Sequence, residues 1–184
     1  MREIFTRAIV LARKDFGEMD GRISLFSEEY GKIVARAKSL RKITSKLSGH
    51  LQPLIFVKIR LIKLSGSGER YAIVDCMQDD EMIGLETGKR YDLLSLMDFL
   101  SSFVFEGQKD KHLWGFLVDV FKNSLSKEEA FKKLISILGL GIGSLSAECS
   151  LCHKKLISGW IEGDYNFICK NCSLKIERDK VRYI

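Results

Sequence analysis

The chain has 184 residues, enough to bury a sizeable apolar core as one domain or as two small ones. It carries 30 Lys and Arg against 24 Asp and Glu, and the resulting formal charge of +6 favours an anionic partner. No apolar run is long enough to cross a bilayer, and the first residues lack the apolar core of a signal peptide. We therefore expect a soluble, cytoplasmic protein without a membrane partner.

The positive charge is concentrated in the N-terminal part of the chain. Residues 1–70 contain 15 Lys and Arg against 7 Asp and Glu, whereas residues 71–184 contain 15 against 17. No acidic residue lies between Glu29 and Glu69. A solvated surface usually mixes charges of both signs, so this segment favours contact with a polyanion.

The first 78 residues predict a small closed barrel of five strands. Short runs rich in β-branched and aromatic residues, separated by turn glycines, cover residues 8–12, 22–26, 32–38, 54–64 and 70–75. In the fourth run, Lys58 and Arg60 alternate with apolar residues, so one face of that strand can pack inward while the other shows charge.

The segment between the third and fourth strands, residues 39–53, predicts a short amphipathic helix that closes one end of the barrel. Leu40, Ile43, Leu47 and Leu51 recur at helical spacing, and the basic residues fall between them. We expect all four apolar side chains to face the barrel.

From about residue 79 the pattern becomes helical, which predicts a second domain over residues 79–184. Apolar positions favour helices over residues 93–104 and 113–121. Ser126 and Glu129 have the spacing of a capping box ahead of a third helix, and Gly139 supplies its stop. The predicted fold class is therefore α+β, a barrel followed by a small helical domain.

Two Cys-x-x-Cys pairs predict a metal-binding segment at about residues 147–175. Four thiolates satisfy tetrahedral zinc without an open position, so we expect one structural Zn²⁺ on Cys149, Cys152, Cys169 and Cys172. A redox dithiol pair and a rubredoxin-like iron site use the same residues and stay open as alternatives. Cys76 lies in an apolar run and is expected to be a small buried hydrophobe.

The acid-free basic run is the candidate binding site. Lysine and arginine neutralise phosphates and release counterions, which gives salt-dependent and largely sequence-independent binding. A solvated face without a partner is the alternative. The candidates for contact with nucleic-acid phosphates are Lys32, Arg36, Lys38, Arg41, Lys42, Lys46, Lys58 and Arg60, and the candidates for base stacking are Phe16, Phe26, Tyr30 and Phe56. No catalytic motif is present, so we expect no enzyme.

Several strings resemble the family of the bacterial DNA repair protein RecO. They are Ile9-Val-Leu-Ala-Arg-Lys-Asp-Phe-Gly-Glu-Met-Asp, Leu25-Phe-Ser-Glu-Glu-Tyr-Gly-Lys-Ile, Ala37-Lys38 with the basic run into Leu51-Gln-Pro-Leu54, and Phe131-Lys-Lys-Leu-Ile-Ser-Ile-Leu-Gly. The resemblance implies an N-terminal OB-fold that binds DNA, a helical domain and a zinc-binding insertion. It also implies a recombination mediator that binds single- and double-stranded DNA, anneals complementary strands and, with RecR, helps RecA load onto DNA covered by single-stranded-DNA-binding protein.

Family members continue through further helices after the cysteine segment, whereas only Ser173 to Ile184 follow Cys172 here. We therefore expect a helical domain that is reduced or completed by another chain. The contact that the family's helical domain makes with the tail of the single-stranded-DNA-binding protein is not carried over to this chain. An RNA-binding ribosomal or transcription accessory factor, built from a barrel and a zinc ribbon, shares the compositional features and is the alternative function.

Overall fold

A computed structural model describes residues 3–65, 71–82, 91–123, 125–139, 148–155, 158–161 and 166–183. The chain divides into two compact units, Met1–Lys122 and Asn123–Ile184. The first unit therefore contains the barrel together with the helices that directly follow it. A domain boundary after residue 78 is a different division and stays a prediction.

The first unit is built on a closed five-stranded barrel. Its strands are β1 (Glu3–Phe16), β2 (Asp20–Ser27), β3 (Gly31–Ala37), β4 (Phe56–Lys63) and β5 (Tyr71–Gln78). They pair in the order β1-β2-β3-β5-β4, and β1 closes the barrel by pairing with β4. Only β3 and β5 pair in parallel. All five predicted strands are confirmed, and with them the OB-fold class; Arg70, predicted as the start of the fifth strand, lies outside the described residues.

Alternation of side chains along the strands fills the barrel. In β3, the residues Ile33, Ala35 and Ala37 are buried and join the core, while Lys32, Val34 and Arg36 between them face outward and are half-buried. Successive side chains of a strand point to opposite faces, so the same strand supplies both apolar core and outward charge. Burial of each large apolar side chain stabilises the fold by about 1.5–3 kcal/mol.

The helix predicted over residues 39–53 is wrong. This segment forms a chain of turns, in which the amides of Lys42, Ser45 and Ser48 each donate to a carbonyl three residues earlier. Ser39 has φ +53° and breaks any helix at its start, and serine side chains favour turns over helix interiors. Leu40 and Leu51 are nevertheless buried in the barrel core, so the segment closes the barrel as predicted.

Two helices of the first unit, α1 (Leu94–Phe103) and α2 (Lys111–Lys122), confirm the predicted helical pattern. The buried ring of Phe56 in β4 meets Trp114 and Phe121 of α2 edge to face, at centroid distances of 5.9 and 5.4 Å. Gly31 is required at the start of β3, because its φ is +67° and a Cβ there would lie 1.9 Å from the carbonyl oxygen of Gln108. The barrel and these helices thus share one packed interior.

The second unit contains α3 (Lys127–Ile137), a short α4 (Lys170–Ser173) and a three-stranded sheet. The predicted capping box is confirmed, since Ser126 accepts from the amide of Glu129 and the carboxylate of Glu129 accepts from the amide of Ser126. The sheet order is β7 (Phe167–Ile168), β6 (Gly159–Ile161) and β8 (Val181–Tyr183). β6 and β7 pair antiparallel, and residues 162–165 between them lie outside the described residues.

Among the described residues, no helix is both long and apolar enough to cross a membrane.

Candidate nucleic-acid interface and metal centre

Three cations form a ladder across the outer face of β1, β2 and β3. In the strand register, Lys14 lies directly opposite Arg22, and Arg22 lies directly opposite Arg36. Like charges directly opposite one another destabilise a sheet. A fold that places three cations in line therefore has a surface on which an anion would relieve repulsion.

Arg36 is held in place by neighbours on the β1–β2 turn. Its Nε and Nη2 donate to Asp20 Oδ2 at 2.8 and 2.6 Å, and Asp20 Oδ1 accepts from the amide of Ser39 at 2.7 Å. The Ser39 amide and the Arg36 guanidinium both lower the pKa of Asp20. The guanidinium groups of Arg22 and Arg36 also lie 4.6 and 5.4 Å from the centre of the Phe16 ring. These contacts fix the orientation of the arginine side chains.

The turns after β3 extend the ladder with exposed cations. Lys38, Arg41, Lys42 and Lys46 are all exposed. Arg41 reaches Asp15 at 3.6 Å, whereas the ammonium groups of Lys42 and Lys46 have no ion-pair partner in the part of the chain that the structure describes. We call the following residues the basic surface: Lys14, Arg22, Arg36, Lys38, Arg41, Lys42 and Lys46.

Lys32 borders the basic surface but is engaged within the first unit. Its ammonium donates to the carbonyl oxygen of Ser101 in α1. Burial, and then the like charge of Lys14, lower the pKa of Lys32, while Glu106 opposes them. A cavity of about 190 Å³ opens here, lined by Lys14, Arg22 and Lys32 together with Ser24 and Ser101 among others. Three cations therefore line a concavity between the strands and α1.

Lys58 and Arg60 lie elsewhere, on the outer face of β1, β4 and β5. Lys58 reaches Asp79 at 3.5 Å and Glu81 at 3.9 Å, and Arg60 reaches Glu3 at 3.8 Å. Asp79 is only 1% exposed and also accepts from Arg7 Nε at 2.7 Å. We call this region the paired face; it consists of Arg7, Lys58 and Arg60 with Glu3, Asp79 and Glu81. Carboxylates here already neutralise the cations.

The four predicted cysteine ligands converge in the second unit. Their sulfur atoms all lie within 4.8 Å of one another, and Cys152 Sγ and Cys169 Sγ are 3.6 Å apart. Tetrahedral zinc thiolates, at about 2.3 Å from the metal, have sulfur–sulfur separations of about 3.8 Å. None of the five cysteines is in a disulfide. The four cysteines can therefore hold a metal ion, and their geometry suits tetrahedral thiolate coordination.

Backbone hydrogen bonds favour the thiolate forms of two of the four cysteines, Cys149 and Cys169. Burial would raise the pKa of Cys149, but amides of Cys169, Leu151 and Cys152 outweigh burial and lower the pKa to about 6. The amide of Cys172 likewise lowers the pKa of Cys169. Thiolates are the species that ligate metals, and stabilised thiolates lower the cost of releasing their protons.

Cys76 and His153 do not belong to the four-cysteine cluster. Cys76 is buried in the barrel, which confirms the expected small buried hydrophobe, and burial raises the pKa of its thiol to about 12. His153 is exposed, and its Nδ1 lies 3.8 Å from Glu148 Oε2.

Sequence reasoning missed Lys14 and Arg22 as members of the basic surface. Both precede the acid-free run, and only strand register places them opposite Arg36. Of the stacking candidates, Phe26 and Phe56 are buried in the interior and Tyr30 packs against the barrel core. Phe16 is half-exposed and lies beside the ladder. The sequence signal that could have found Lys14 and Phe16 is their period-two spacing at the end of β1.

The fold and these sites define an OB-fold protein with a basic surface on its barrel and a four-thiol centre in a second unit. A family model described as Recombination protein O N terminal matches residues 1–76. The chain is 30% identical over 181 residues to the DNA repair protein RecO of Dehalococcoides mccartyi strain BAV1, which covers 91% of this chain and 69% of that protein. It is 28% identical over 186 residues to the DNA repair protein RecO of Bacillus subtilis, and this match covers 95% of the chain and 69% of that protein. The chain belongs to the RecO family.

Proposed function

We propose that this protein is a DNA repair and recombination mediator that binds DNA through its barrel. The observation that carries the proposal is the basic surface, where seven Lys and Arg are adjoined by three carboxylates, Asp15, Glu18 and Asp20. Phosphate contacts of this kind release counterions and require no base sequence, so both single- and double-stranded DNA are suitable ligands. The name of the relatives, DNA repair protein RecO, supports the same role.

Strand annealing follows from the same surface without covalent chemistry, and we propose no enzymatic role. Two complementary strands repel each other through their phosphates, and cations that screen both backbones lower that repulsion. Within the proposal, Lys38, Arg41, Lys42 and Lys46 make phosphate contacts from the turns, and Arg36 from β3. Lys32 contributes less because its ammonium donates to the carbonyl oxygen of Ser101, and Lys58 and Arg60 contribute less because they lie on the paired face, away from the cation ladder and the turns after β3.

The proposed partners follow those that the family resemblance implies. They are RecR and, through DNA, RecA and the single-stranded-DNA-binding protein, all in the cytoplasm. The second unit takes a structural role in this proposal, with one Zn²⁺ held by the four cysteines. A closed four-thiolate site fixes local structure and leaves no position for a substrate.

The proposal is tested by DNA binding and annealing of fluorescent oligonucleotides over a salt series. We expect wild-type protein to accelerate annealing of complementary strands, with an effect that falls as salt rises. Arg41→Glu with Lys42→Glu should weaken binding by at least about tenfold, because two phosphate contacts become repulsive. Lys111→Glu with Lys122→Glu, two exposed positions on α2, makes the same change of charge away from the basic surface and should bind almost normally.

Three results would overturn parts of this proposal. Unchanged binding by the Arg41 and Lys42 variant would refute the assigned surface. Tight binding of structured RNA without annealing of DNA would favour the RNA-binding accessory factor. A coloured, redox-active preparation that contains iron would contradict both the assignment of zinc and the purely structural role of the four thiols.

A further inference from the structure

Ile43 is the most exposed large apolar side chain among the described residues. Its relative exposure is 105%, although its helical spacing with Leu40, Leu47 and Leu51 predicts burial. Leu40 and Leu51 do enter the barrel core, and Leu47 packs against it. The turn segment therefore buries Leu40 and Leu51, packs a half-buried Leu47 against the core and presents Ile43 to solvent.

The position of Ile43 is fixed by hydrogen bonds on both sides. The amide of Ser45 donates to the carbonyl oxygen of Lys42 at 2.9 Å, so Ile43 and Thr44 form the tip of a β-turn. Before that turn, the amide of Arg41 donates to the carbonyl oxygen of Met19 at 2.9 Å and ties the segment to the β1–β2 connection. A side chain on an anchored turn loses little conformational freedom when a ligand covers it.

The surroundings of Ile43 identify the kind of ligand. Arg41, Lys42 and Lys46 lie within three residues of it, and no acidic residue occurs from 30 to 68. Met19, whose carbonyl anchors the turn, is itself 50% exposed and adds apolar surface at the same end of the barrel. A ligand that complements both properties carries negative charge next to flat apolar surface, as a nucleic-acid strand does with its phosphates and base faces.

We propose that Ile43 is a base-contacting residue, which inserts against or between the bases of a DNA strand whose phosphates are held by the neighbouring cations. This inference rests on the proposed function and extends it, because the basic surface alone contacts only the backbone. Apolar side chains that enter base steps separate neighbouring bases. A strand held with its bases unstacked is open to pairing with a complementary strand, which connects Ile43 to annealing.

The test uses Ile43→Ser in the full-length chain with a single-stranded oligonucleotide that contains 2-aminopurine, whose fluorescence rises when it is unstacked. Wild-type protein should raise the fluorescence on binding. The variant should bind about fivefold more weakly, lose most of the fluorescence rise and keep the salt dependence, because its phosphate contacts are unchanged. Phe105→Ser is the matched control, since it removes an apolar side chain that is 74% exposed in another loop of the same unit.

The outcomes separate this inference from the proposed function. If Arg41→Glu with Lys42→Glu weakens binding but Ile43→Ser leaves both affinity and fluorescence unchanged, the inference is wrong and the DNA-binding proposal stands. If the wild-type protein does not bind the oligonucleotide at low salt, both are wrong. If phosphatidylglycerol vesicles bind the wild-type protein more tightly than the oligonucleotide does and Ile43→Ser abolishes that binding, the turn contacts a membrane surface, which also overturns the inference.

Discussion

Two faces of the same barrel carry similar numbers of cations per strand and differ in what those cations contact. On the paired face, Lys58 and Arg60 reach Asp79, Glu81 and Glu3 within 4 Å. On the basic surface, Lys14, Arg22 and Arg36 lie opposite one another, and the following turns add exposed lysines. Arg36 and Arg41 also have carboxylate partners, Asp20 and Asp15, but Lys42 and Lys46 have none in the part of the chain that the structure describes, so the basic surface keeps charge that its own carboxylates do not neutralise.

This difference shows why a count of lysines and arginines in a sequence overestimates a binding site. All nine cations of the acid-free run look equivalent along the chain, yet the acids that neutralise Lys58 and Arg60 come from outside that run, at residues 3, 79 and 81. A charge that already has a carboxylate partner gains less from a phosphate, because binding must first break or share the existing ion pair.

The largest effect is expected from removal of the metal centre, which tests whether DNA binding by the barrel depends on that centre. Cys169→Ser removes one of four ligands, and we expect loss of the metal and unfolding of the cysteine segment. Among the described residues, the apolar core there contains five buried residues, of which three are cysteines. Apparent zinc-binding free energies of such sites are on the order of 10 kcal/mol, so the folded segment depends on the metal. Metal content and limited proteolysis measure the effect.

Binding of DNA by the same variant sharpens the comparison of the two faces. Because the basic surface lies on the barrel, DNA affinity should change by less than about threefold, a difference below about 0.7 kcal/mol. Cys76→Ala is the control that removes a buried thiol outside the cluster and should keep the metal. Complete loss of DNA binding with an intact barrel would place part of the DNA site in the cysteine segment.

A smaller effect is expected at the cation ladder, where loss of one cation should weaken DNA binding without lowering the stability of the fold. Lys14→Gln removes the first of three aligned cations, so the free energy of unfolding should stay constant or rise by a few tenths of a kcal/mol. Affinity for a single-stranded oligonucleotide should fall about threefold, with a reduction of about 0.7 in the slope of log K against log salt. Urea unfolding and fluorescence anisotropy measure the two quantities.

A loss of stability in Lys14→Gln without a loss of affinity would show that the ladder is structural. It would then belong with the paired face, and the contrast between the two faces would be reduced to the turns after β3.

Most of the fold could be predicted because strands and helices leave periodic signals. The five strands, three helices and the capping box at Ser126 and Glu129 all follow from local pattern. The length of β1 could not, since it runs over Glu3–Phe16 where residues 8–12 were predicted. Its first half pairs with β4 and its second half with β2, and this pairing with two different strands accommodates the charged residues at both ends.

The metal centre and the basic surface were predictable to different degrees, because the first depends on local spacing and the second on how strands pair. The four thiols are close in two short motifs, so local spacing was enough to bring them together. The basic surface depends on strand register, which placed Lys14 and Arg22 beside Arg36 and separated Lys58 from it. Ile43 matched helical spacing, but the segment forms turns, and a turn tip has no buried face.

The most direct test of the account compares neutralisation of the two faces in one salt series. Arg41→Gln with Lys42→Gln, and separately Lys58→Gln with Arg60→Gln, each remove two positive charges. The affinity of each variant for a single-stranded oligonucleotide is measured as a function of salt. The account predicts that the first pair reduces the slope of log K against log salt by about 1.4, and the second pair by less than half of that. Equal reductions, or a larger one for Lys58 and Arg60, would contradict the claim that DNA is bound on the basic surface.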